Sequence, residues 1–193
     1  MSNRTDREYA ILIVSSSEQF NMVVRKSIPA GRFSTIEIRK SASAARREML
    51  TRTYDIIIIN APLSDEGMGS DFVMDLHEKK DMGIIYAVPG DVYSKVSGYL
   101  VDYGIITVPK PVKDNSLGLS IRLQLSMQDK LRKSRRQVAK LEDKMEELRF
   151  VSRAKILLVQ RGMSEDEAHE YIIRTAMNRG LSKRAVAEEI IDD

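Results

Sequence analysis

The residues able to do chemistry in this 193-residue chain are mostly cations. Between Arg122 and Arg161 there are 12 Lys/Arg against 5 Asp/Glu, whereas residues 1–111 carry 14 of each sign and balance. A local positive excess attracts phosphates, and it equally suits a solvated helical surface. Other chemistries lack their parts. There is no cysteine, which removes disulfides and thiolate-held zinc. His77 and His169 are the only histidines, too few for a His-based metal cluster and poor material for a Ser-His-Asp triad. No phosphate loop and no nucleophile–base pair is legible. The expectation is a binding protein rather than an enzyme, with no metal and no cofactor.

The elements that must position these cations fall into two halves. Up to residue 111, short apolar runs alternate with helical patterns: Tyr9–Val14, Ser34–Ile38, Asp55–Asn60, Gly83–Val88 and Ile105–Val108 read as strands. Their continuous Ile/Val character fits strands covered on both faces. Helical stretches lie near Glu18–Ile28, Ala42–Arg52, Asp71–Lys80 and Val92–Tyr103. Gly31, Gly83 and Gly104 stand at helix-to-strand junctions, where a left-handed cap is expected. Five strands alternating with helices predict an α/β doubly wound parallel sheet, with its functional crevice at the carboxyl ends of the strands.

From Leu117 onward the pattern is helical. With Leu131, Val138 and Met145 at heptad position a, position d falls on Met127, Ser134, Leu141 and Leu148. That seam predicts a homodimeric coiled coil, the alternative being an amphipathic helix packed on its own domain. Two short helices follow. Ser164-Glu165-Asp166-Glu167 is a capping box, Gly180 ends the helix it starts, and Ser182 caps the last one. Together with the end of the long helix these form a small three-helix unit. The domain boundaries expected are 1–112 for the α/β domain, 113–148 for the coiled-coil linker helix and 129–193 for the helical domain. Hydrophobic residues at 42% and charged residues at 31% fit a soluble globular protein. No apolar run approaches the roughly 20 residues of a membrane span, and the N-terminal segment lacks the apolar core of a signal peptide. A cytoplasmic location is expected.

Over about residues 8–125 the sequence resembles the receiver domain of bacterial response regulators. The likeness rests on ILIVSSSE, YDIIIINAPLSDEGMGSDF, GIIYAVPGD and YLVDYGIITVPKPV. It implies a receiver, or flavodoxin-like, fold with a degenerate phosphorylation site. Ser15 and Ser16 stand where the family has its metal-binding acidic pair, Asn60 where it has the phosphoacceptor Asp, and Val88 where it has the switch Ser/Thr. Of the motif residues only Lys110 remains, followed by Pro111, for which a cis bond is expected. An Asn amide cannot form an acyl phosphate, and neutral serines hold Mg²⁺ weakly. Asp65, in the loop after the third strand, is a poor substitute. Lys110 is left to hydrogen-bond Asn60 or to reach solvent. The family also implies that a regulatory protein could dock on the face near Val92–Tyr103 and the fifth strand, against a passive scaffold as the alternative.

The C-terminal segment LEDKMEELRFVSRAKILLVQRGMSEDEAHEYIIRTAMNRGLSKRAVAEEIID is similar to the ANTAR domain, the three-helix RNA-binding module of transcription antitermination regulators. Ile156 departs from it, standing where the family often has Gly. The resemblance implies a dimer that binds tandem RNA stem-loops in an mRNA leader. Lys155, Arg161, Arg174, Arg179 and Lys183 are the cations it offers to RNA, each also suited to a plain surface role. Arg174, for example, lies four residues after Glu170. Ala154 and Ala176 are expected at close helix contacts, and Tyr171 in the core rather than under a base. The rival functions are a DNA-binding response regulator and a phosphorylation-independent dimeric adaptor for proteins. The acidic Glu188-Glu189 end of the last helix suits DNA poorly.

Overall fold

The computed structural model describes residues 8–29, 31, 33–79 and 82–193. They form two compact units, divided between Leu131 and Arg132. In the first, strands β1 (Tyr9–Val14), β2 (Phe33–Arg39), β3 (Ile56–Asn60), β4 (Gly83–Val88) and β5 (Ile106–Pro109) pair in the order β2-β1-β3-β4-β5. Every pairing is parallel. Helices α1 (Glu18–Ser27), α2 (Ala42–Thr51), α3 (Ser70–Lys79) and α4 (Gly90–Leu100) alternate with the strands, and α4 runs into a 3₁₀ turn at Val101–Tyr103. Lys80, expected to end the third helix, lies outside the described residues.

The period-two alternation of a strand divides the core in two. Leu12, Val14, Ile57, Ile59, Ile84, Tyr86 and Val88 pack on one face with residues of α2 and α3. Ile11, Ile13, Ile56, Ile58, Ile85 and Val108 pack on the other with α1 and the start of α5 (Asp114–Gln160). Ile56, Ile57, Ile58 and Ile59 are all fully buried, which is why this run carries no alternation of its own. Each contributes about 1.5–3 kcal/mol by leaving water. Truncating any one to Ala is expected to cost about 2–5 kcal/mol.

Two of the three junction glycines expected to be left-handed are so, Gly31 at φ 74° and Gly104 at φ 70°. Gly83 is not. It opens β4 in ordinary backbone, and its constraint is space: a Cβ there would stand 3.0 Å from Oε1 of Gln124. That buried glutamine donates to the carbonyls of Ile84 and Gly104, both at 2.9 Å, and pins α5 to the sheet.

The second unit comprises the later part of α5, α6 (Glu165–Arg179) and α7 (Lys183–Asp192). Its core is Ala154, Leu158, Ala168, Ile172, Ala176, Val186, Ala187 and Ile190. The alanines at 154 and 176 are buried, as close helix approach requires. The capping box forms in full: Ser164 Oγ accepts the Glu167 amide at 3.2 Å, and Glu167 accepts the Ser164 amide at 2.8 Å. Ser182 Oγ caps α7 through the Ala185 amide at 3.1 Å.

Candidate functional site

Register brings the first group of residues together. Val14 pairs with Ile59 across β1 and β3, so Ser15 and Asn60 emerge side by side at the carboxyl ends of the strands. Both are buried. Ser15 Oγ accepts from the Asn60 side-chain amide at 2.9 Å and from the Ser17 backbone amide at 3.1 Å. Asn60 Oδ1 is shielded from solvent and accepts no hydrogen bond among the described residues. Ser16 is exposed, and Val88 is fully buried at the end of β4.

Lys110 follows β5, and the Lys110–Pro111 peptide is cis. Its ammonium makes no hydrogen bond to Asn60, in contrast to one of the two sequence expectations. It donates instead to the main-chain carbonyl of Ala61. With the Asn60 amide turned to Ser15, that carbonyl is the acceptor at hand. Burial pushes the Lys110 ammonium below its usual range, and no neighbouring carboxylate opposes the shift. Ser17, the N-cap of α1, and Gln19, Phe20 and Val23 of that helix line a cleft of about 240 Å³ with Asn60, Lys110, Pro111 and Val112.

Asp65 has a defined task that sequence reasoning missed. Its carboxylate accepts the backbone amides of Ala42 and Ser43 at the N-terminus of α2, both at 2.9 Å. Ser41 Oγ takes the next free amide, Ala44, at 3.2 Å. Three orphan donors of one helix end are therefore satisfied. The amide of Ser43, ahead of that of Ala42, draws the Asp65 carboxyl down to about 2 against a desolvation cost. The same loop is held by an Arg46–Glu66 ion pair and by Tyr86, whose hydroxyl donates to the Met68 carbonyl at 2.5 Å.

In the second unit the five cations expected to meet RNA divide into two sets. Lys155 Nζ lies 2.7 Å from Glu165 Oε1, and Arg179 forms a two-point pair with Glu189. Glu189 raises the Arg179 guanidinium above its ordinary range, chiefly by hydrogen bonding. Arg161, Arg174 and Lys183 are exposed and make no ion pair among the described residues. The support that Glu170 could give Arg174 is thus not made. Tyr171 departs from its expected place in the core: it is 39% exposed, and Ala168, Ile172 and Ala176 line the buried face of α6 without it. Ile156, the departure from the resemblance, is also exposed.

One feature of this unit escaped the sequence reading. The Arg184 guanidinium stands 4.9 Å over the Phe150 ring and pairs with Glu146 at 2.6 Å and Glu188 at 2.8 Å. The pair with Glu188 has i, i+4 spacing and was readable; Phe150 and Glu146 reach it from another helix. The apolar positions of the heptad seam are open. Met127, Leu131, Val138, Leu141, Met145 and Leu148 are each between 42% and 62% exposed in the single chain.

Residues 139–191 match the family model described as the ANTAR domain. Among solved structures, the chain is similar to the signal receiver domain of an HD domain-containing protein from Pseudomonas fluorescens Pf-5, at 24% identity and a TM-score of 0.57, covering 69% of this chain and 97% of that one. It is similar to a CheY-like response regulator receiver domain protein from Methanospirillum hungatei JF-1, at 19% identity and TM-score 0.54, covering 64% and 98%. A two-component response regulator from Clostridium difficile aligns at 17% identity and TM-score 0.52, covering 62% and 97%. At these identities the likeness establishes the receiver fold. No match to the chain is found among curated proteins. Among the described residues no helix is long and apolar enough to cross a membrane.

Proposed function

We propose that this chain, which joins a receiver fold to an ANTAR domain, is a cytoplasmic RNA-binding regulator of transcription antitermination. It binds stem-loops in nascent mRNA as a dimer, and its receiver fold works without a phosphoryl group. The observation that carries this reading is the ANTAR match over 139–191 on a unit whose surface bears Arg161, Arg174 and Lys183 as unpaired cations. RNA loops present phosphates and splayed bases to such side chains. Lys155 and Arg179 join them once RNA competes with Glu165 and Glu189.

The dimer forms along α5. Six large apolar side chains on one helical seam lose water when a second copy covers them. Asn60, Ser15 and Ser16 supply neither the carboxylate nucleophile nor the metal ligands of phosphoryl transfer. Control passes instead through a partner protein, docked on the face that exposes Tyr99, Val101 and Tyr103.

The test is binding of the full chain to tandem-hairpin RNA across a salt series, with duplex DNA of matched sequence as control. RNA binding that weakens with salt and exceeds DNA binding is the expected result. Preference for DNA would favour a DNA-binding regulator, and binding to neither would favour a protein adaptor.

A further inference from the structure

The positive excess between Arg122 and Arg161 is only partly used by the cations assigned to RNA loops. From Arg132 to Lys140 the chain places five Lys/Arg and no Asp or Glu. This segment lies on α5 within the second unit. Lys133, Arg136, Lys140 and Lys144 follow one another at spacings of three, four and four residues, which sets them on one face of the helix. All four are exposed and make no ion pair among the described residues, although Asp143 and Glu147 stand three residues beyond Lys140 and Lys144. Like charges at these spacings destabilise a helix. A helix with no use for the stripe would be better served by opposite signs, as Arg184 and Glu188 are on α7.

The stripe also points away from the dimer seam. With Leu131, Val138 and Met145 at position a, Lys133 and Lys140 fall at c and Arg136 at f, the outer face of a coiled coil. Lys144 flanks the seam at g. Pairing of two copies therefore leaves the row open to solvent. From Lys133 to Lys144 it runs about 16 Å along the helix axis. A nucleic-acid duplex carries one negative charge per roughly 2 Å of its axis, so such a row matches the phosphates of a stem and exceeds a single small anion. No aromatic residue stands between Arg132 and Arg149 to stack on a base. The large apolar side chains of that stretch belong to the seam, which leaves none to enter a bilayer.

We propose that Lys133, Arg136, Lys140 and Lys144 form a phosphate-binding stripe for the paired stem of the RNA, separate from the cations that meet its loops. The proposal rests on the RNA-binding reading of the second unit. Lys133 and Arg136 carry that reading beyond residues 139–191, which match the ANTAR domain. Each copy presents one stripe, so a dimer holds two stems. The contact adds affinity without sequence preference, because phosphate contacts position a nucleic acid while base contacts specify it.

The experiment measures fluorescence anisotropy over a salt series with two probes, tandem-hairpin RNA and a loop-free RNA duplex of the same stem sequence. It compares the full-length chain with a variant carrying Lys133→Gln, Arg136→Gln, Lys140→Gln and Lys144→Gln. The variant should bind both probes about tenfold or more weakly at low salt, and the slope of log K against log salt should fall by about two to four. The ratio of hairpin to duplex affinity should stay the same. Because the substitutions remove like-charge pairs, the variant should melt no lower than the parent chain. If it fails to fold, Lys133→Gln with Lys140→Gln decides the matter through a slope smaller by about one to two. An unchanged slope on both probes overturns the proposal and leaves the loop reading standing. If the parent chain binds hairpins no better than duplex, the loop reading fails, while the slope on the duplex still decides the stripe. Binding to neither probe overturns both.

Discussion

Lys155 is tied to Glu165, its ammonium 2.7 Å from the carboxylate across the turn between α5 and α6. Lys155 is the more buried partner and Glu165 is largely exposed. The hydrogen bond from Lys155 holds the Glu165 carboxyl below its ordinary range. A phosphate that approaches Lys155 must therefore displace a carboxylate already seated there. Glu165→Gln is expected to strengthen RNA binding, whereas Lys155→Ala weakens it and lowers the slope of log K against log salt by about one. Filter binding or anisotropy over a salt series reads both. A Glu165→Gln protein with weaker RNA binding would remove Lys155 from the contact surface.

The seam makes a prediction that separates assembly from folding. Leu141 and Leu148 are well exposed in the single chain, so exchanging them for Lys costs the monomer little. Across a coiled-coil interface the same change buries unpaired charge. Leu141→Lys with Leu148→Lys should yield a folded monomer by sedimentation, with intact helical circular dichroism and reduced affinity for tandem-hairpin RNA. A dimer that survives both changes would place its interface elsewhere.

Acid stability should depend on Asp65. Its carboxyl is lowered from 3.8 to about 2 by the α2 amides, so the folded state binds fewer protons than the unfolded one between those values. The stabilisation is complete above about pH 4 and is lost as pH falls through about 2. Asp65→Ala should cost about 1 kcal/mol near neutrality, as the loss of an N-cap does, and should flatten the acid limb of the stability curve. Urea melts at several pH values test this, and an unchanged acid limb would contradict the assignment.

Acetyl phosphate should leave the intact mass unchanged. Asn60→Asp on its own should not restore phosphorylation, because Ser15 and Ser16 still hold a hard cation weakly. A covalent phosphoryl adduct on the unmodified protein would require a different acceptor and would overturn the phosphorylation-independent reading.

Much of the fold was legible because its signals are local. The bounds of β1 and β4 coincide with their apolar runs, and the capping box at Ser164 forms as its spacing implies. What escaped is non-local. Asp65 serves a helix that starts 23 residues earlier, and Glu146 meets Arg184 at a separation of 38. No periodicity encodes such pairs. Lys110 and Tyr171 were misjudged for a related reason: which acceptor an ammonium finds, and which edge of a stripe is covered, depends on neighbours brought by topology. Gly83 looked like a cap because glycine's usual reason at a junction is backbone freedom, yet here the limit is the bulk of Gln124.

The loop from Ala61 to Gly69 is anchored by Lys110 at its start, by Asp65 and Glu66 toward α2, and by Tyr86 at Met68. The anchors come from three parts of the fold, α2, β4 and the residue after β5, so no single local fluctuation frees the segment. Segments of this kind open only with the structure that grips them. The amides of Ala61, Leu63 and Gly69, which find main-chain acceptors, should exchange with deuterium at rates close to those of β3 and β4, and a protease should find no early cut. In this molecule the stretch beside the cleft behaves as part of the frame.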